Sequence, residues 1–205
     1  MTSLPRAYFE EVYGANDDPW GFETSPYEAA KYDATLAALP RPRYRSGYEV
    51  GCSLGVLTER LAGRCDRLLA VDTIAGVLER ARARCRRHPH VAFRQAHLPA
   101  DAPDETFDLV VLSEVGYYLA MDALTTLRGD VVAALEPGGH LILVHWTPPV
   151  HDYPLTGDEV HEAFLAVAGS GGPLRHLNGR REETYRLDVL ERTADPPAEP
   201  PAERT

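Results

Sequence analysis

The segment Tyr48-Glu49-Val50-Gly51-Cys52-Ser53-Leu54-Gly55 decides the fold, because it joins a short apolar run to an amphipathic one through a turn with two glycines. Glycine has no Cβ, so a turn of this kind lets a ligand approach the backbone closely. In an open α/β sheet, ligands bind at the carboxyl ends of the strands. The segment therefore predicts a strand, a ligand-binding turn and a helix.

Short apolar runs and longer amphipathic segments continue to alternate after this turn, which is typical of βαβ units with a mostly parallel sheet. The predicted strands lie at 47–50, 67–71, 91–95, 107–112 and 139–144, and the predicted helices at 54–62, 73–87 and 121–135. Strand 107–112 is apolar on both faces, which predicts a central position. The turn Pro137-Gly138-Gly139 leads into the strand at 139–144.

Two capping boxes and a hairpin signal complete the predicted elements. Ser25-Pro26-Tyr27-Glu28 begins a helix that ends near Leu39, and Thr156-Gly157-Asp158-Glu159 begins another that ends before the glycines at 169–172. Strand-like segments at 174–177 and 184–190 predict a hairpin, with Asn178-Gly179 as its turn. We expect one domain over 1–193, with 1–45 as a helical lid and 194–205 as a disordered tail.

Charge, cysteine content and hydropathy restrict the classes of partner. The 205 residues carry a formal net charge of −10, which disfavours nucleic acid because phosphate backbones are also negative. The three cysteines are widely spaced and the histidines lack a ligand spacing, so we expect no disulfides, no metal site and a cytoplasmic protein. No apolar run is long enough to span a membrane, and no signal peptide begins the chain. The oligomeric state stays open.

Two kinds of ligand suit the turn after the first strand. A dinucleotide requires Gly-x-Gly-x-x-Gly, where this chain has Gly51, Ser53 and Val56, and Val56 would prevent close packing of the helix on the strand. Glu49 would add negative charge beside the pyrophosphate. The same carboxylate suits the ammonium group of S-adenosylmethionine, which also carries a sulfonium and no phosphate.

The spacing Glu49-x-Gly51-x-Ser53-x-Gly55 resembles the first motif of class I S-adenosylmethionine-dependent methyltransferases, with Ser53 in place of the middle glycine. Asp72 ends the second predicted strand, and 107–111 and 135–139 resemble later segments of the same family. The resemblance implies a Rossmann-like α/β fold with a seven-stranded, mostly parallel sheet and a C-terminal antiparallel hairpin. It also implies S-adenosyl-L-methionine as cofactor and S-adenosyl-L-homocysteine as product.

The same resemblance implies a set of cofactor-binding residues. Asp72 is expected to hold the ribose hydroxyls, although a carboxylate there can also cap the next helix. His97 stands where many of these enzymes have an aspartate near the adenine amino group, and Leu98 can pack on the adenine. The implied residues are Trp20, Glu49, Gly51, Ser53, Gly55, Asp72, Thr73, Ile74, His97, Leu98 and Ser113.

Three segments outside these motifs are similar to the NodS-like methyltransferases. The first is the N-terminal region with Asp18-Pro19-Trp20-Gly21-Phe22, Ser25-Pro26-Tyr27-Glu28, Lys31-Tyr32-Asp33 and Leu36. The others are Ser113-Glu114-Val115-x-Tyr117-Tyr118-Leu119, and His145-Trp146 with the following 151–161. The type member of that family N-methylates the free amine of a deacetylated chitooligosaccharide. The resemblance therefore implies a small-molecule acceptor, most simply an amino sugar. An O-methyltransferase of a secondary metabolite, a noncatalytic cofactor-binding protein and an NAD-type oxidoreductase are the alternatives.

The acceptor site is expected between the N-terminal segment and the loops after the fourth and fifth strands. An ammonium cannot attack a methyl group, and Glu114, His145 or His151 is predicted to accept its proton, unless neutral amine binds directly. Glu114 as a helix cap and the tyrosines as ordinary packing are the structural alternatives. Aromatic groups can stack on a sugar. The predicted acceptor-binding residues are Tyr8, Tyr13, Tyr117, Tyr118, Trp146 and Tyr153.

Overall fold

The computed structural model describes residues 2–194 of the chain. Its strands are β1 (Tyr44–Val50), β2 (Cys65–Asp72), β3 (Val91–Gln95), β4 (Phe107–Ser113), β5 (Leu135–Trp146), β6 (Leu174–Arg181) and β7 (Tyr185–Arg192). Its α-helices are α1 (Arg6–Ala15), α2 (Pro26–Ala38), α3 (Val56–Ala62), α4 (Ala75–Arg84), α5 (Met121–Ala134) and α6 (Gly157–Leu165), and a 3₁₀ turn covers Gly116–Tyr118.

All seven strands form one sheet in the order β3-β2-β1-β4-β5-β7-β6. The first five strands are parallel, and β7 runs antiparallel to both β5 and β6. The predicted Rossmann-like fold with its closing antiparallel hairpin is confirmed. The strand order reverses between β1 and β4, so the turns that follow these two strands face the same crevice.

The core lies on both faces of β4, as its sequence predicts. Leu109, Val110, Val111 and Leu112 have no exposed surface. Val110 and Leu112 pack with apolar residues of α5 and α6, whereas Leu109 and Val111 pack with those of α2 and α3. The helices therefore cover both faces of the sheet, which leaves the carboxyl ends of the strands as the open edge where a ligand can enter.

The helices after β1 and β2 begin later than the sequence predicts. We expected them at 54 and 73, and they begin at Val56 and Ala75. The turn after β1 continues through Ser53 and Gly55, whose positive φ angles of 47° and 74° are incompatible with a right-handed α-helix. After β2, Thr73 and Ile74 precede the helix.

Both predicted caps are present, but only one is a complete capping box. Thr156 and Glu159 cap α6 reciprocally. Ser25 accepts a hydrogen bond from the Glu28 N–H at the start of α2, whereas the Glu28 carboxylate binds Lys31 rather than the cap. The Glu28 carboxylate is thereby free to hold the Lys31 ammonium group.

The predicted turn of the C-terminal hairpin is wrong. Asn178 and Gly179 lie inside β6, and the chain reverses at 182–184 instead. A side chain at 179 would bring its Cβ to 2.5 Å from Asp188 Oδ1, so the glycine serves a close contact with β7 rather than a turn. A bulge between His176 and Asn178 accommodates the change of register.

The glycine turn before the fifth strand is absorbed into β5. The strand begins at Leu135, which pairs with Phe107, and pairing then resumes between His140 and Leu109. The intervening residues bulge out, with Gly138 at a φ of 76°. The tail beyond Ala194 lies outside the described residues. Between residues 2 and 194, no helix combines the length and the apolar character needed to span a bilayer.

Candidate active site

A cavity opens at the carboxyl ends of β1, β2 and β4, under the N-terminal segment. It encloses about 1120 Å³, including its open mouth. Nine of the predicted cofactor-binding residues line it: Trp20, Glu49, Gly51, Ser53, Asp72, Thr73, His97, Leu98 and Ser113. The structure thus brings together residues that are separated by more than 90 positions in the chain.

Glu49 is the most unusual group of this cavity. Its side chain is buried, and its Oε2 atom has no hydrogen-bond partner. Burial raises the pKa of Glu49 to about 8; the Thr58 hydroxyl opposes the shift and the nearby charge of Asp72 adds to it. A buried carboxylate oxygen without a partner costs stability unless a ligand supplies a donor or a cation. The ammonium group of an amino acid provides both.

The turn after β1 allows close approach to the backbone. Gly51 has a φ of 73°, and a Cβ there would lie 2.2 Å from Val115 Cγ2. The backbone N–H of Ser53 donates to Asp72 Oδ2 at 2.9 Å, and the Ser53 hydroxyl lies 2.5 Å from the Tyr13 hydroxyl. Any larger residue at Gly51 would push the turn away from β4, so the glycine fixes the width of the crevice.

Asp72 already serves the protein backbone. Its Oδ2 accepts from the Ser53 N–H and its Oδ1 from the Ile74 N–H at 3.0 Å. Burial raises its pKa, and these backbone hydrogen bonds oppose that shift. Each carboxylate oxygen can accept a second hydrogen bond, so the capping contacts leave room for the hydroxyls of a ribose.

Leu98, Thr73 and His97 line another part of the cavity. Leu98 lines the wall there, and the Thr73 hydroxyl lies 3.0 Å from His97 Nδ1. Two predicted residues lie outside the cavity. Gly55 meets α4, because a Cβ there would lie 2.9 Å from Ala81 Cβ, and Ile74 is a buried residue that contributes its backbone N–H to Asp72.

The N-terminal segment forms the roof of the cavity. The Trp20 ring contacts Tyr13 edge-on and stacks on Phe22, and all three residues line the cavity. The start of the chain is tied to the loop after β4, since the Leu4 N–H donates to the Tyr118 carbonyl and Ser3 Oγ accepts from the Ala120 N–H. The roof is therefore joined to both sides of the crevice.

Glu114 lies at the β4 side of the cavity with three donors on its carboxylate. Lys31 Nζ lies 2.5 Å from Oε1, while the Tyr117 hydroxyl and the Trp146 backbone N–H donate to Oε2 at 2.6 and 2.9 Å. The residue has a φ of 57°, an unusual backbone conformation for a side chain of this size. It caps no helix. Its orientation is determined by its neighbours rather than by its own backbone.

Lys31 belongs to the NodS-like N-terminal segment of the sequence, but it was not predicted as a site residue. It is 3% exposed and bridges Glu28 and Glu114, 83 positions away from the latter. Burial lowers its pKa, but the two carboxylates outweigh that effect and raise it. The sequence signals were the NodS-like segment Lys31-Tyr32-Asp33 and the predicted capping box at Glu28. Neither shows that Lys31 reaches Glu114, because that contact forms only when α2 packs beside β4.

The two predicted catalytic histidines lie away from the cavity. His145 is fully buried and lies behind the Glu114 loop, where its Nε2 accepts from the Gly116 N–H at 3.2 Å. His151 is an exposed residue of the turn after β5. Neither side chain lines the cavity, whereas Glu114 does.

The predicted acceptor-binding aromatics fall into three separate groups of ring contacts, and only two of these residues line the cavity. Tyr13 and Tyr118 line the cavity. Tyr118 contacts the rings of Phe9, Tyr117 and Tyr153, and Tyr117 and Tyr153 stack at 5.0 Å. Tyr8 packs on Phe9, and the Trp146 ring packs on Tyr27. Among residues 2–194, no cluster of three or more histidine, cysteine or acidic side chains is arranged to hold a metal ion.

Comparison with known proteins assigns this architecture to a family. The family model described as Nodulation protein S (NodS) matches residues 10–147. Nodulation protein S of Rhizobium tropici is 34% identical over 130 residues, which are 62% of this chain and 55% of that protein. The corresponding protein of Bradyrhizobium diazoefficiens is 39% identical over 131 residues, 62% of each chain. These alignments thus span less than two thirds of both relatives.

A solved structure covers more of the chain. The N-methyltransferase NodS of Bradyrhizobium japonicum, crystallised in complex with S-adenosyl-L-homocysteine, aligns over 91% of this chain and 97% of its own with a TM-score of 0.79 and 26% identity. A relative with the same fold therefore binds S-adenosyl-L-homocysteine.

Proposed function

Because this chain belongs to the nodulation protein S family of S-adenosylmethionine-dependent methyltransferases, we propose that it transfers a methyl group to an amine nitrogen of a small molecule. The acceptor that we propose is an amino sugar or the free amine of an oligosaccharide. The relative that is described as an N-methyltransferase supports nitrogen as the acceptor atom.

The observation that carries this proposal is the unpartnered Oε2 of Glu49 in the cavity after β1. S-adenosylmethionine brings an ammonium group that can pair with this oxygen, and it supplies a methyl carbon activated by the neighbouring sulfonium. Asp72 has free acceptor capacity for ribose hydroxyls, and Leu98 offers an apolar wall to the adenine. A dinucleotide would instead bring its pyrophosphate close to Glu49.

Glu114 is the group best placed to handle the acceptor amine. It lines the same cavity as Glu49 but on the β4 side. Its carboxylate can pair with an ammonium group or receive the proton that the amine must lose before it attacks. The protein otherwise contributes alignment and exclusion of water, which the aromatic roof of Tyr13 and Trp20 supports.

A sugar as acceptor fits the aromatic residues on the Glu114 side of the cavity. Tyr118, which lines the cavity, and its neighbour Tyr153 present ring surfaces and hydroxyls beside the Glu114 side. Rings of this kind stack on the apolar faces of sugars, and their hydroxyls bond to sugar hydroxyls. The NodS-like segments of the sequence point to the same class of acceptor.

The cofactor is tested by thermal unfolding. S-adenosyl-L-homocysteine is expected to raise the melting temperature, since a ligand that binds only the folded state stabilises it, and NAD is expected to leave it unchanged. Stabilisation by NAD and not by S-adenosyl-L-homocysteine would contradict the methyltransferase assignment.

The acceptor is tested by transfer of radiolabelled methyl groups to matched oligosaccharides. A chitooligosaccharide with one free amine is expected to be labelled, and its fully N-acetylated counterpart is expected to remain unlabelled. Labelling of both compounds would favour an O-methyltransferase. Labelling of neither, but of a simple amine, would keep nitrogen as acceptor and remove the sugar.

A further inference from the structure

Behind the Glu114 loop, three buried polar side chains form a continuous chain of hydrogen bonds. His145 Nδ1 lies 3.1 Å from His161 Nε2, and His161 Nδ1 lies 2.6 Å from Asp188 Oδ2. The two histidines have no exposed surface, and Asp188 is 3% exposed. They come from β5, α6 and β7, so these hydrogen bonds connect three elements that are distant in sequence.

The direction of every hydrogen bond in this chain follows from its first member. The Gly116 backbone N–H can only donate, so His145 Nε2 carries no proton and accepts. His145 then carries its proton on Nδ1 and donates to His161 Nε2. His161 in turn carries its proton on Nδ1 and donates to Asp188.

The surroundings favour these neutral, oriented imidazoles. Burial lowers the pKa of His145 well below its usual value, and the neighbouring His161 and Lys31 add to that effect. Burial also lowers the pKa of His161, against the opposing effect of Asp188. Asp188 is held from its other sides by Arg186 Nε at 2.7 Å and by His176 Nε2 at 2.7 Å.

At its other end, this series of hydrogen bonds reaches the turn that carries Glu114. His145 holds the Gly116 N–H, and the next residue, Trp146, donates its own N–H to the Glu114 carboxylate. A Cβ at 116 would lie 2.5 Å from Val160 Cγ1 and 3.1 Å from His145 Nε2, so glycine is needed for this approach. The end of β5 thus fixes the turn at two points.

We propose that His145, His161 and Asp188 are positioning residues, which hold the Glu114-Val115-Gly116 turn and thereby aim the Glu114 carboxylate into the cavity. The proposal rests on the proposed function, in which Glu114 faces the acceptor. Glu114 needs such support because its positive φ is unfavourable for a glutamate. The turn would otherwise relax toward a more common backbone conformation.

The first test is spectroscopic and does not depend on activity. Nitrogen chemical shifts of the imidazoles, assigned by comparison with His145→Gln and His161→Gln, are expected to show two neutral rings protonated on Nδ1 between pH 6 and 8. Free histidine in water favours the Nε2-protonated form, so the expected pattern is distinctive. An Nε2-protonated or a charged His145 would overturn the proposal.

The second test separates turnover from binding. His145→Phe removes the acceptor for the Gly116 N–H, and His145→Gln restores an acceptor at the same reach. We expect kcat to fall about tenfold or more in His145→Phe and to recover largely in His145→Gln, with S-adenosyl-L-homocysteine affinity unchanged in both. Equal losses of kcat in the two variants would overturn the proposal.

Asp188→Asn and Val189→Ala provide a matched pair on β7. Asp188→Asn weakens the end of the hydrogen-bonded chain and is expected to lower kcat about threefold or more. Val189→Ala loosens the other face of the same strand, where the side chain is buried, and is expected to lower the melting temperature but not kcat. A kcat that follows stability in both variants would overturn the proposal. Absence of turnover in the wild type would instead count against the proposed function.

Discussion

Two carboxylates lie at the ends of adjacent parallel strands and line one cavity, but their surroundings are opposite. Glu49, at the end of β1, is buried with one oxygen that has no partner. Glu114, just after β4, has donors from Lys31, Tyr117 and the Trp146 N–H on its two oxygens. Glu49 thus lacks a partner that a bound ammonium group can supply, whereas the protein itself supplies the partners of Glu114. We call the first the incomplete carboxylate and the second the arranged carboxylate.

In the proposed function, the two carboxylates therefore contribute to different steps, one to cofactor binding and the other to methyl transfer. The unpartnered oxygen of Glu49 destabilises the unliganded protein, and a bound ammonium group removes that cost. Pairing with Glu49 therefore contributes to the affinity for the cofactor. Holding Glu114 in place costs nothing at the moment of reaction, because its orientation exists beforehand.

The largest effect is expected at the arranged carboxylate. In Glu114→Gln, the amide NH₂ would face groups that can only donate, so the variant loses both the charge and the fixed orientation. We expect turnover to fall about 100-fold, the lower range of general-base contributions, while S-adenosyl-L-homocysteine affinity stays within about threefold. Steady-state kinetics and calorimetry measure the two quantities.

Tyr117→Phe is the matched control for this prediction. It removes one donor from Glu114 and keeps the carboxylate and the ring stacking with Tyr153. We expect a loss of turnover well below that of Glu114→Gln. Wild-type turnover in Glu114→Gln would remove this residue from the reaction and would leave direct binding of neutral amine as the remaining route.

The next effect is expected at the incomplete carboxylate. Glu49→Gln removes the charge that pairs with the ammonium group, and charge-assisted hydrogen bonds contribute about 1.5–3 kcal/mol. We expect S-adenosyl-L-homocysteine affinity to fall about 100-fold at pH 9 and only about tenfold at pH 7, where Glu49 must first lose a proton. Equal losses at both pH values would contradict the raised pKa.

A smaller effect follows from the same titration. The pKa of Glu49 is about 8 in the folded protein and near 4.5 as an ordinary glutamate, so the folded state binds more protons between these values. The stability that the protonated carboxyl contributes is therefore full below pH 4.5 and is lost as the pH rises through about 8. The free energy of unfolding of wild type, relative to Glu49→Gln, should fall over this window.

Binding should also release a proton. Pairing with the ammonium group of the ligand favours the ionised form of Glu49, so up to about one proton should be released per S-adenosyl-L-homocysteine bound at pH 7. Calorimetry in two buffers with different ionisation enthalpies measures this number. Glu49→Gln should release markedly less, and equal release in the two proteins would assign the proton to another group.

The sequence predicts the incomplete half of the site better than the arranged half. Glu49 and Gly51 lie in one sequence motif, and Asp72 lies at the end of the next strand. Local patterns of this kind can be recognised in the sequence alone. Lys31 contacts Glu114 across 83 positions, and His161 reaches His145 only because α6 packs behind β5. Such contacts depend on tertiary packing, which no single motif records.

The fold shows the same limit at the hairpin. The alternation of apolar and amphipathic segments is enough to predict the parallel strands, because it reports burial directly. Asn178-Gly179 has the composition of a tight turn, but its glycine is needed beside Asp188 in β6. A glycine can thus mark either a turn or a close contact within a sheet, and the neighbouring strand β7 determines which of the two occurs at Gly179.

The smallest effect is expected at His151, which the sequence analysis grouped with Glu114 and His145 as a proton acceptor. The structure places it on an exposed turn outside the cavity. Its side chain is surrounded by water, so replacing it leaves no buried group unpaired, and surface substitutions of that kind usually change stability by less than about 0.5 kcal/mol. We expect kcat and KM of His151→Ala within about twofold of wild type. A fall of kcat comparable to that of Glu114→Gln would mean that the turn after β5 closes over the acceptor during the reaction, so that part of the acceptor side is arranged by the substrate.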